Sequence, residues 1–108
     1  MIGVSQKGSD INAARLDIVV EDGGKTLSTM YVDFVGYGGF KVVVTKANGG
    51  NPKIFTCFSS SREATFKEAL EVSDAPEQDR SEIKEKIEEF LVPFIGPDPQ
   101  KQVPVVGA

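Results

Sequence analysis

A chain of 108 residues, 40% hydrophobic and 26% charged, has the size and make-up of one ordinary domain with a single modest core. With no histidine and one cysteine, Ser-His and Cys-His nucleophile pairs, histidine metal ligation, a zinc-finger set and an internal disulfide are all excluded. The net charge of −4 is uneven: residues 1–62 carry seven basic and five acidic side chains, residues 63–108 five and eleven, so +2 is followed by −6.

No apolar run approaches the roughly 20 residues of a membrane span. The opening "MIGVSQKGSD" lacks the apolar core of a secretory signal peptide. A cytoplasmic protein without membrane attachment is expected. Neither a GxxxxGK[ST] phosphate loop nor an EF-hand pattern occurs. No catalytic set, cofactor or metal is therefore expected, and the chain reads as non-enzymatic.

Taken in chain order, residues 1–14 are too weakly patterned to assign beyond a short strand or turn. "RLDIVVED" then alternates: Leu16, Ile18 and Val20 share one parity, Asp17, Val19 and Glu21 the other. Period two predicts a half-buried strand. "EDGGK" is a hairpin turn, because both glycines can take positive φ. A second strand is expected over about 27–35 and a third over about 40–46. "ANGGNP" breaks the chain, and "KIFTCFS" makes a fourth. Four strands joined by glycine turns predict an antiparallel meander.

The period changes after residue 59. In "SSREATFKEAL", Ser60 and Glu63 have capping-box spacing, and Phe66, Ala69 and Leu70 lie on one helical face. Pro76 suits the first turn of a second helix. There Ile83, Ile87, Phe90 and Leu91 recur at i, i+4, i+7 and i+8, opposite a face filled with Glu and Lys. Pro93 and the "GPDP" of 96–99 should end it. The expected fold is α+β: a four-stranded antiparallel meander followed by two C-terminal helices packed on the sheet. It forms one domain over 1–95, with an extended Pro-containing tail over 96–108.

The stretch "FVGYGGF", residues 34–40, raises the question of a base-stacking surface, a phosphate cradle or a turn. The RNA-binding signature K/R-G-F/Y-G/A-F-V-x-F/Y is not met. Val35 stands at the basic position, a glycine is inserted before Phe40, and the last aromatic is missing. A phosphate cradle wants its amides at a helix N-terminus, whereas these join two strands. A hairpin tip remains. With Tyr37-Gly38-Gly39 as the loop, Gly36 faces Phe40, Phe34 faces Val42 and Val32 faces Val44, and Gly39 supplies the left-handed residue. One face then collects Met30, Val32, Phe34, Phe40, Val42 and Val44; the other collects Tyr31, Asp33, Val35, Lys41, Val43 and Thr45. A two-residue loop would mix apolar with charged positions, and burial of one face selects against that.

The second face is unusually apolar. It carries Val19, Tyr31, Val35 and Val43, with either Ile54 and Phe58 or Phe55 and Cys57. Helices on both sides of the sheet, a second copy of the chain, or a ligand could cover it. The favoured function is a structural or interaction module that self-associates through a sheet face or edge, with a second copy or another protein as partner. Its contacts would come from Tyr31, Tyr37, Lys41, Val35 and Val43. The alternative is single-stranded nucleic-acid binding, with Tyr31 and Tyr37 stacking on bases and Lys41, Lys46 and Lys53 tracking phosphates. A third reading would use Asp33 as a base; pairing with a neighbour such as Lys41 is the plainer role. Cys57 reads as a small buried apolar residue, since no histidine can activate it.

Overall fold

The computed structural model describes residues 1–58 and 62–98. It contains strands β1 (Ile2–Lys7), β2 (Arg15–Asp22), β3 (Lys25–Val35), β4 (Gly39–Lys46) and β5 (Lys53–Cys57), then helices α1 (Arg62–Ser73) and α2 (Glu77–Ile95). The strands form one sheet in the order β1-β2-β3-β4-β5, every pair antiparallel. The α+β class and the meander stand, but the sheet has five strands rather than four.

The additional strand, β1, pairs in register from Ile2 opposite Val20 to Lys7 opposite Arg15. Only Ile2 packs against the core, and the rest of the strand is exposed. A strand held mainly by its backbone ladder has no need of a hydrophobic period, so it left little pattern in the sequence. Its start is tied to α2: the Met1 amine donates to Asp79 Oδ2 at 2.6 Å and to the Glu21 carbonyl. The hydrogen bond to Asp79 raises the pKa of that amine above its ordinary value.

Between β2 and β3 the turn is Gly23-Gly24, with φ of 59° and 80°, the pair of positive values that matches the twist of a two-residue hairpin. An irregularity at Val20/Glu21 makes Leu27 the extra residue, so Ser28 faces Val20.

The β3–β4 register differs from the sequence expectation by two residues. Phe34 faces Phe40, Val32 faces Val42 and Met30 faces Val44. A slip of two preserves side-chain parity, so the two faces have the expected membership although every partner changes. The loop is Gly36-Tyr37-Gly38, closed by Gly39 N–H donating to the Gly36 carbonyl. Tyr37 and Gly38 take the positive φ values, 62° and 73°, in place of Gly39.

Both helices lie on the same face. α1 contacts β3, β4 and β5, and α2 contacts β1 and β2. Phe66, Ala69 and Leu70 of α1 are buried, as are Ile83, Ile87, Phe90 and Leu91 of α2. They meet Leu16, Ile18, Val20, Met30, Val32, Phe40, Val42, Val44 and Cys57 of the sheet. Aromatic rings close the layer: Phe34 stacks on Phe90 at 5.2 Å and touches Phe94 at 4.9 Å, and Phe40 meets Phe66 at 5.9 Å. Two helices sandwiching the sheet are thus ruled out.

Polar anchors fix the layer's edges. The buried Ser28 hydroxyl donates to the Ser73 carbonyl at 2.7 Å, joining β3 to the end of α1. Asp74 then takes φ 61°, the left-handed stop that commonly ends a helix. The buried Arg62 guanidinium donates to Glu88 at 3.1 Å and to the Gly96 carbonyl at 3.0 Å, linking the start of α1 to α2 and its end.

Pro76 caps α2, one position ahead of the first turn. α2 also continues through Pro93 to Ile95, contrary to expectation. It stops at Gly96, φ 80°, whose N–H bonds the Val92 carbonyl. A proline this close to a helix end forfeits a single backbone bond, and the packing of Phe94 against Phe34 and Phe90 holds the last turn in place. The expected Ser60 capping box lies outside the described residues, as does 99–108 of the expected tail. Within 96–98, Asp98 is buried.

Candidate functional site

Directly opposed residues of an antiparallel pair point to the same side of the sheet. The register therefore defines rows across the face that the helices leave open. One row runs Ser5, Asp17, Tyr31, Val43, Ile54. The next runs Lys7, Arg15, Asp33, Lys41, Thr56. Beyond it, toward the β3–β4 turn, Val35 faces Gly39, and Phe58 comes against Gly39.

The two-sided apolar pattern of β5 is resolved here. Ile54 and Phe58 point outward and are 61% and 56% exposed; Phe55 and Cys57 pack inward. Cys57 is buried in the core beneath the helices, consistent with a packing role. Tyr31, Val35, Lys41 and Val43 all lie on the open face, and Tyr37 stands at the turn beside it, fully exposed at 101%. Val43 is only 2% exposed although no helix covers its side, because it sits between Tyr31 and Ile54. It supports this surface, and Ile54 presents it.

Gly39 has a different use from the one its turn position suggested. A Cβ there would lie 2.6 Å from Phe58 Cδ1 and 2.9 Å from the Cys57 carbonyl oxygen. The residue lets the Phe58 ring lie down over the end of β4.

The polar row is ordered by one ion pair. Arg15 Nε and Nη2 donate to the two carboxylate oxygens of Asp33, at 3.2 and 3.3 Å. The guanidinium also lies 4.1 Å from the Tyr31 ring centroid, within cation–π range. The hydrogen bond to Asp33 raises the Arg15 pKa above its ordinary value. Asp33 is accordingly the partner of Arg15 rather than of Lys41, and it is engaged structurally rather than poised alone as a base. Asp17, beside Tyr31, has its Oδ2 shielded with no donor among the described residues.

Lys46 and Lys53 are not part of this surface. They stand opposite Ser28 and Val44, on the helix-side parity, and Lys46 pairs with Asp74 at 3.0 Å. Of the lysines grouped from the sequence, the open face keeps Lys41 alone. It gains Lys7 and Arg15, which single-strand patterning had no means to place: each becomes visible only once β1 and β2 are laid in register.

Among the described residues no His, Cys, Asp or Glu group is arranged to hold a metal ion, and no helix is long and apolar enough to cross a membrane. No family model matches the chain, and no curated protein or solved structure matches it.

Proposed function

We propose that the protein is a non-enzymatic interaction module that self-associates through the open face of its sheet. The contact would center on Ile54, Phe58, Val35 and Tyr37. One observation carries this reading: both helices pack on one side, while Ile54 and Phe58 remain more than half exposed on the other. Apolar side chains grouped on a face without its own cover gain by being removed from water, at about 25 cal/mol per Å². A two-fold contact would use each of them twice, since the same patch serves both copies.

Tyr37 adds support. Positive φ at a bulky residue costs about 1 kcal/mol, and here the ring it carries touches nothing in its own chain. Such a side chain is better accounted for by an intermolecular contact than by folding. The displacement of Lys46 and Lys53 takes away two of the three lysines expected to follow a nucleic-acid strand, and the cations that remain on the face, Lys7, Arg15 and Lys41, lie across the strands in one row with Asp33.

Light scattering on the purified chain tests the proposal. A mass that rises with concentration to a multiple of 11.6 kDa is expected. A mass fixed at 11.6 kDa would overturn it.

A further inference from the structure

The polar row Lys7-Arg15-Asp33-Lys41 runs from β1 to β4, and a cleft of about 400 Å³ lies between it and the chain segment 11–14. We propose that this cleft binds the phosphate monoester of a small phosphorylated molecule, with Lys7, Arg15 and Lys41 as its cationic contacts. The site borders the apolar strip at Lys41 and extends from it toward β1, and its lining residues come from a single copy of the chain.

Charge is the first argument. Three cations and one carboxylate line the cleft, giving it +2 in a chain whose net charge is −4. The carboxylate, Asp33, is already engaged by Arg15. Lys7 and Lys41 make no ion pair with any described residue. With no carboxylate partner of their own among the described residues, both ammonium groups are available to an anion held over the fixed arginine.

Preorganisation is the second. Asp33 holds one edge of the Arg15 guanidinium and Tyr31 lies against its face, so its remaining N–H donors have a set direction. Four adjacent strands at about 4.8 Å spacing place β1 and β4 about 14 Å apart, a gap that two lysine side chains can close over one central anion. The facing wall is also set. Asp10 accepts at its carbonyl from the Ala13 and Ala14 amides and at Oδ1 from the Asn12 amide. At Gly8, φ 77°, a Cβ would come within 2.6 Å of the Ala13 carbonyl oxygen, so the segment closes down on the strand end only because a glycine is there. A wall formed before the ligand arrives saves the ordering entropy that would oppose binding.

A cleft of this volume is in the range that takes a small molecule rather than a bare ion. Phosphate suits the donors better than a carboxylate, since its three terminal oxygens can each meet one cation.

The test is amide-detected NMR on the full chain, titrated with inorganic phosphate, with adenosine monophosphate, and with an oligothymidylate lacking terminal phosphates, against sodium chloride at matched ionic strength. The proposal expects saturable shifts with phosphate and the monophosphate, confined to Lys7, residues 10–15 and the start of β4. It expects Lys7→Gln combined with Lys41→Gln to weaken binding at least about tenfold, with an otherwise unchanged spectrum. Shifts no larger than those given by chloride would overturn it. So would binding of the oligothymidylate alone, which would mark a phosphodiester strand as the ligand, and so would full affinity in the double variant.

Discussion

Replacing Tyr37 should make the fold more stable and the assembly weaker. The side chain is fully exposed, so truncation removes no packing within the chain, while its backbone sits at φ 62°. A left-handed conformation costs an L-residue about 1–2 kcal/mol, and asparagine, whose short polar group bonds locally, bears it better than a bulky aromatic. Tyr37→Asn is therefore expected to raise unfolding free energy by about 0.5–1 kcal/mol. For a domain of this size that is an increase of about 2–5 °C in Tm. Urea unfolding followed by circular dichroism, on samples dilute enough to be monomeric, should show a higher midpoint with an unchanged slope. In the same variant, association should weaken, because the ring no longer joins the strip formed by Ile54 and Phe58. A variant equally or less stable than the parent would refute the reasoning, since it would mean that the ring is held by contacts within its own chain or that the turn carries no strain.

Gly39→Ala should lower stability by about 1–3 kcal/mol, the range for forcing a methyl into occupied space. Adding Phe58→Ala should return part of that loss, leaving the clash with the Cys57 carbonyl; a double-mutant cycle in urea measures the coupling. Arg62→Ala should cost about 3–5 kcal/mol, because the half-buried Glu88 loses its partner and the Gly96 carbonyl its donor, whereas Arg62→Met with Glu88→Leu should recover most of it. Ser28→Ala removes the only hydroxyl donor to the Ser73 carbonyl among the described residues and should cost about 1–2 kcal/mol in thermal or chemical unfolding.

Where burial enforces a period, the sequence was readable. β2 announces itself by alternation, β3 and β4 by runs of β-favouring residues between glycine turns, and α2 by the Ile83-Ile87-Phe90-Leu91 stripe that faces the core. β1 did not, since its exposed edge position asks only Ile2 to be apolar. In the β3–β4 hairpin, parity fixes faces but not partners. Parity assigned every residue to its correct face, yet a two-residue slip leaves parity intact, so partners had to come from turn geometry, and Tyr37 at positive φ is an unusual choice there. Gly39 looked like a turn residue but serves close approach of Phe58, a contact no local pattern records. Pro93 misled for the reverse reason: tertiary packing of Phe94 outweighed a local helix-ending signal. The apolar half of the candidate site was visible as an excess of apolar residues on one parity. Its cationic half was not, because Lys7, Arg15 and Lys41 lie on three separate strands and meet only through the sheet.

Sedimentation equilibrium of the parent chain beside Ile54→Asp tests the central claim most directly. The substitution places a charge at an exposed position, so the fold should persist, while the same charge at a two-fold contact would be buried twice. The account predicts an associating parent and a variant that stays at 11.6 kDa over the same concentration range with an unchanged circular dichroism spectrum. A parent that remains at 11.6 kDa throughout, or a variant that associates as strongly as the parent, would contradict it.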